Sequence, residues 1–262
     1  MAKKKAKEIL TERSKNVLTI TLNRPEKKNA LSAQMIAELT EFAQTIDRQK
    51  SARVVLLRGA GDVFCAGGDL DWMKLQINAD RAGRMAEARK LAHMLQVMNE
   101  LPLPMIGAVH GGAFGGGIGM ACVCDVVIAE SGTKFGLTET RLGLIPATIS
   151  PYVVSRMGEG KARRVFMSAR IFSAAEAQAL DLIADQVPAA QLEARIEAEI
   201  APYLKVAPGA VAASKSLARA LGPRIDAEVI EETVKRLADT WEGAEAKAGI
   251  DAFLSKSKAP WA

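Results

Sequence analysis

Residues 105–130 read MIGAVHGGAFGGGIGMACVCDVVIAE, from Met105 to Glu130. An apolar run is followed by a glycine cluster, a short helix start and a second apolar run. Seven glycines stand among the twenty residues Met105–Cys124. Glycine at that density gives up packing area and chain entropy, so the segment needs bare backbone. A tight strand-to-helix turn and close approach by a ligand are the two physical reasons for it. Twenty residues without Asp, Glu, Lys or Arg also meet the length criterion for a membrane span. However, the run lacks Leu, is one-third glycine, follows Pro102 and Pro104, and ends at Asp125. No membrane span is expected.

Working outward, Val126–Ala129 and Met105–Val109 read as buried strands on either side of the glycines. Val54–Leu57 is a third continuous apolar run, as in a strand covered on both faces. Val17–Leu22 alternates, as an edge-like strand does, after a shorter strand at Glu8–Thr11. Ser32 is placed to cap a helix running to about Gln49, with Met35, Ile36, Leu39, Phe42, Ala43 and Ile46 on one face. Ala79–Glu100 is an amphipathic pattern stopped by Leu101-Pro102. Strands alternating with helices define a layered α/β class. Beyond Ser150 helical patterns dominate, with a capping box at Ser173–Glu176 and one strand-like run at Ile183–Val187. The expected division is a core over 1–200, with a basic tail at 1–7, and a helical region over 201–262.

The chain has 262 residues, 49% hydrophobic and 25% charged, enough for a packed core and unlike a disordered chain. Four lysines among the first seven residues carry much of the net charge of +5. That tail lacks the apolar core of a secretion signal, and no RNA-binding motif, basic helix or zinc pattern accompanies it. Nucleic-acid binding is therefore not expected, while a small anionic ligand suits the charge. Cys65, Cys122 and Cys124 form no C-x-x-C pair, which suits a reducing compartment; the cytoplasm is the expected location.

Several ligand motifs fail. Gly115 and Gly117 lead to Met120, and Gly117 and Gly119 to Cys122, so no dinucleotide fingerprint is present. Gly160-Lys161 is followed by Ala162, which is not a P-loop. No G-x-S-x-G elbow occurs, and two histidines, His93 and His110, without H-E-x-x-H give no metal site. What remains is a repeated construction. Val54–Leu57 leads to Cys65-Ala-Gly-Gly-Asp69, and Met105–Val109 leads to Gly115-Gly-Gly-Ile-Gly119. Each is a buried strand, a glycine turn and a helix start with free N–H groups. Two such donors converging on one oxygen would form an oxyanion hole.

Asn23-Arg24-Pro25 with Asn29-Ala30-Leu31, Phe64–Leu70, Gly112–Gly117 and Phe135–Pro146 together, in this order, resemble the enoyl-CoA hydratase/isomerase (crotonase) family. The resemblance runs from about Val17 to Pro146 and extends to the helical tail. It implies a spiral of ββα units, a C-terminal helical trimerisation region, an acyl-CoA thioester substrate, and a homotrimer or dimer of trimers. No cofactor is implied, coenzyme A being part of the substrate. The implied oxyanion-hole amides fall on Gly68 and Gly116. The implied CoA-lining strip is Ala66, Gly68, Asp69 and Leu70, with Lys28 or Lys27 placed for the phosphates. Asp69 has a simpler alternative role as a helix cap.

Hydratases of the family carry two glutamates. The second falls on Glu139, as a general base or acid; the first falls on Gly119, which has no side chain. The expected activity is that of an enoyl-CoA hydratase adding water across the C2–C3 double bond in fatty-acid or branched-chain acyl-CoA breakdown, with a single-glutamate Δ3-Δ2-enoyl-CoA isomerase and a non-catalytic acyl-CoA-binding protein as the alternatives. Leu144–Val153, Asp69–Met73 and Gly119 resemble the branch containing methylglutaconyl-CoA-type hydratases.

Overall fold

The computed structural model describes residues 6–46 and 52–262. Most of the basic tail and the expected helix end near Gln49 lie outside these residues. The chain opens with a hairpin of β1 (Ile9–Ser14) and β2 (Val17–Leu22). Ser32 then caps α1 (Ala33–Thr45), its Oγ accepting the Met35 N–H over 3.1 Å. Next come β3 (Val54–Gly59), α2 (Leu70–Asn78), α3 (Arg81–Asn99), β4 (Met105–Val109), β5 (Gly112–Phe114) and α4 (Gly116–Cys122). The strands β6 (Val126–Glu130) and β7 (Lys134–Gly136) precede α5 (Ser150–Met157) and α6 (Glu159–Phe166). The remainder is β8 (Ile171–Ser173), α7 (Ala174–Ala179), β9 (Asp185–Val187), α8 (Leu192–Ile200), α9 (Pro208–Leu221), α10 (Ala227–Glu242) and α11 (Ala244–Ser255).

Two sheets result, ordered β1-β2-β3-β4-β6-β9 and β5-β7-β8. In the large sheet every pair after the hairpin is parallel. A chain turn such as β4–β5–α4 or β6–β7–α5 adds one strand to each sheet and one helix, which makes the ββα spiral. The sequence pattern misses the small sheet, whose three-residue strands are too short to show a period. The pattern from Ala79 to Glu100 is α3 alone, and α2 is a separate helix. Asp80 separates them by capping α3, with Gly83 N–H donating to its Oδ1 over 2.7 Å.

The core forms where α1 and α3 cover the large sheet. Met35 and Leu39 of α1 and Met94, Leu95 and Met98 of α3 are fully buried, each stabilising the fold by about 1.5–3 kcal/mol. The C-terminal helices fold back on this layer. Val234 of α10 packs on Ala88 and Ala92 of α3, and Arg89 makes a two-pronged ion pair with Glu231. By contrast α9 has no buried residue and exposes Leu217 and Leu221. No helix among the described residues is long and apolar enough to cross a membrane.

Candidate active site

The site starts from strand pairing that continues past the sheet. Beyond β3 the chain stays alongside the segment after β4: Phe64 N–H donates to His110 O, Cys65 N–H to Gly112 O, and Phe114 N–H to Cys65 O, all within 3.1 Å. This lays the Cys65–Asp69 loop on the start of α4. Gly67 has φ +97°, and a Cβ there would lie 2.9 Å from Phe114 O and 3.7 Å from Gly116 N. Only glycine permits so close an approach in that conformation.

Leu31 fixes which way the amides point. Its N–H donates to Gly67 O over 2.7 Å, and its carbonyl accepts the Asp69 N–H over 3.2 Å. In a trans peptide the C=O and the next N–H point in opposite directions, so the Gly68 N–H faces away from Leu31. The same geometry holds for Gly116: Gly115 O accepts from Ile118 and Gly119 inside α4, which turns the Gly116 N–H outward. Neither amide has an acceptor among the described residues. The two lie on touching loops, as the oxyanion-hole reading requires.

Outward-facing residues alternate along the implied CoA-lining strip. Gly68 and Leu70 are exposed and Ala66 is half-buried, while Cys65, Gly67 and Asp69 are buried. Lys28 is exposed and holds the strip by its backbone, its carbonyl accepting the Ala66 N–H over 2.9 Å. Lys27 is paired with Asp71 at 3.6 Å. Asp69 is turned inward and does cap a helix: its Oδ1 accepts the Asp71 and Trp72 N–H groups of α2. Its Oδ2 pairs with Arg24 Nη1 at 2.9 Å. Burial opposes ionisation of Asp69, but the Arg24 guanidinium and the α2 amides outweigh it and hold its carboxyl below the usual range.

Glu139 reaches the same place through the small sheet. β7 pairs with β5 so that Gly136 lies beside Phe114, and the Gly115 N–H donates to Gly136 O over 2.9 Å. Three residues on, a 3-10 turn (Glu139–Leu142) starts with Glu139 at its first position. A Cβ on Gly115 would lie 2.7 Å from Glu139 Oε1. Glu139 as a residue is only partly covered, yet its Oε2 is fully buried without a hydrogen-bond partner. Burial pushes this carboxyl up to about 7, against a small opposing effect of its own N–H. Helix α11 backs the turn, with Gly249 packed directly on Leu142 and Trp241, Ala246 and Ile250 clustered around Leu144. Arg141 makes no ion pair with Glu139.

The remaining candidates fall away from this point. His110 is bonded to Gly61 O at 2.8 Å and His93 to Gln44 at 3.1 Å. The three cysteines are free and buried, and burial raises the Cys65 thiol to about 12. Among the described residues no group of three His, Cys, Asp or Glu side chains is placed to hold a metal. A cavity of about 1040 Å³ lies elsewhere, under α9 beside Tyr152 and Arg156; Cys122 and Cys124 line it, whereas Gly68, Gly116 and Glu139 do not.

Sequence reading missed two kinds of residue. Arg24 and Asn29 serve as motif landmarks in the sequence, but both anchor the site. Arg24 binds Ala30 O and Asp69, while Asn29 Nδ2 donates to Ala60 O and Val63 O within 2.8 Å. Ile149 was missed because its position matters only relative to Gly119. A Cβ on residue 119 would lie 3.0 Å from Ile149 Cβ.

The arrangement is thus two outward amides on adjoining loops and, against Gly115, a carboxyl whose pKa is raised by burial, groups of the kind that can stabilise an oxyanion and move a proton. Comparison with known proteins gives the family. The enoyl-CoA hydratase/isomerase model matches residues 12–262, and the chain belongs to that family. It is 34% identical to an enoyl-CoA hydratase of Shewanella pealeana, with a TM-score of 0.79 over 97% of this chain and 96% of that one. It is 34% identical to an enoyl-CoA hydratase/isomerase of Marinobacter aquaeolei, with a TM-score of 0.80 over 98% and 99%. It is also 37% identical to AtuE of Pseudomonas aeruginosa, with a TM-score of 0.79 over 97% and 99%. The fold is the crotonase fold of these structures.

Proposed function

We propose that this protein is an enoyl-CoA hydratase that adds water across the C2–C3 double bond of an acyl-CoA thioester. The observation carrying this reading is the Glu139 carboxyl, which lies against Gly115, the residue before Gly116, with its Oε2 buried and without a partner. The ionised carboxyl takes a proton from water as the hydroxyl oxygen bonds to C3. The C2–C3 π electrons move onto the thioester oxygen, where the two amides hold the enolate. Glu139, now protonated, returns the proton to C2. The CoA moiety lies along Ala66, Gly68 and Leu70, with Lys28 near its phosphates and Asp69 holding the strip from beneath. No cofactor beyond the CoA of the substrate takes part.

A second reading, an isomerase that shuttles a proton between C2 and C4, is favoured by the aliphatic packing at Gly119. Turnover of crotonyl-CoA and 3-methylglutaconyl-CoA in ¹⁸O water separates the two. Solvent oxygen in the product supports the hydratase. Deuterium exchange without oxygen incorporation supports the isomerase. Thioester binding with neither would leave a binding protein. The exposed apolar side chains of α9 favour a homotrimer or a dimer of trimers, which sedimentation would test. Three free, buried thiols suit the cytoplasm.

A further inference from the structure

One segment, 138–149, places side chains against two successive turns of α4. Its start lays the Glu139 carboxyl on Gly115, and its end lays Ile149 on Gly119. Gly119 N–H donates to Gly115 O over 3.2 Å, so the two glycines are one helical turn apart, roughly 5 Å along the axis. A Cβ on residue 119 would lie 3.0 Å from Ile149 Cβ, closer to its Cγ2, and 3.7 Å from Leu95 Cδ2. Ile149 is 3% exposed and Leu95 is fully buried. The groups that meet this position are aliphatic, and the space is already filled.

We propose that Ile149 is a specificity-determining residue: it occupies the place that a second acid–base side chain on α4 would need, and so makes this a one-carboxylate site. The inference rests on the reading of Glu139 as the proton-transfer group. Its chemical consequence is that water can be oriented by one carboxylate only. The wall one turn from Glu139 accepts apolar acyl substituents and offers no hydrogen bond to polar ones. Gly119 and Ile149 therefore function as a pair, and neither can be exchanged alone for a polar group.

The test compares Gly119→Glu, Ile149→Ala and the double variant for thermal midpoint and for hydration of crotonyl-CoA. Gly119→Glu alone overpacks the site, lowers the midpoint by about 3–10 °C and gains no hydration. In the double variant the carboxyl has room, so the midpoint rises above that of Gly119→Glu, and hydration exceeds wild type by about tenfold or more. Additive midpoint losses, or a double variant no faster than Ile149→Ala, would overturn the proposal. If the double variant does not fold, Gly119→Ala with and without Ile149→Ala reads the same coupling. Gly119→Ala must lower the midpoint in the wild-type background and lower it less in the Ile149→Ala background; equal losses overturn the proposal. A wild type that hydrates nothing while the double variant does would sink the hydratase reading and leave this one standing.

Discussion

The Glu139 carboxyl fills the space that a side chain on residue 115 would take: a Cβ there would sit 2.7 Å from Oε1 and 3.5 Å from Cδ. Gly115 also has φ +46°, a conformation that strains other residues. Gly115→Ala should therefore displace the carboxyl without touching the CoA strip. The expected result is a kcat lowered on the order of 100-fold, with affinity for a non-reactive acyl-CoA nearly unchanged. Equal losses in both would place Gly115 in substrate binding instead.

Two neighbouring glycines should behave oppositely. Nothing lies within 4 Å of a Cβ on Gly68, whereas at Gly67 it would meet Phe114 O at 2.9 Å with φ +97°. Gly68→Ala should keep wild-type stability and activity within a few-fold. Gly67→Ala should cost about 2–4 kcal/mol in urea unfolding and most of the activity, because the loops must separate.

Glu139 links pH to both rate and stability. With its pKa at about 7, kcat/KM should rise as the carboxyl ionises through that pH, and this limb should vanish in Glu139→Gln. The folded state raises this pKa, so its contribution is full below the ordinary carboxyl range and is lost as pH rises through about 7. Wild type should thus fall behind Glu139→Gln by about 3 kcal/mol at alkaline pH, with no difference near pH 4. Denaturant midpoints of the two proteins across that range check the sign.

Arg24 and Asp69 tie the Cys65–Asp69 loop to the start of α2. Asp69→Ala removes a helix cap and one of the two carboxylates paired with the mostly buried Arg24 guanidinium, which keeps Glu8 at 3.2 Å, at a cost of about 1–3 kcal/mol. The folded state lowers the Asp69 pKa, so its contribution is present above the ordinary carboxyl range and lost as pH falls through the lowered value. The stability gap between wild type and Asp69→Ala should accordingly narrow on acidification. A gap that stays constant would show that the pair contributes nothing through charge.

The layered α/β class, the long apolar strands and the two glycine turns are all legible in the amino-acid sequence. Runs such as Val54–Leu57 and Met105–Val109 are legible because burial on both faces demands unbroken apolar residues. The order of four motifs identified Gly68, Gly116 and Glu139 as candidates. It could not give the small sheet, whose three-residue strands carry no period, nor the anchoring by Arg24 and Asn29, whose partners lie up to 45 residues away in sequence. Tertiary packing alone lays the Glu139 carboxyl against Gly115 and brings Ile149 onto the space at Gly119. Both facts depend on how β5 and β7 pair and on where the 138–149 segment crosses α4. A pKa and an excluded volume arise from atoms brought together across the chain, and local sequence carries no record of that distance.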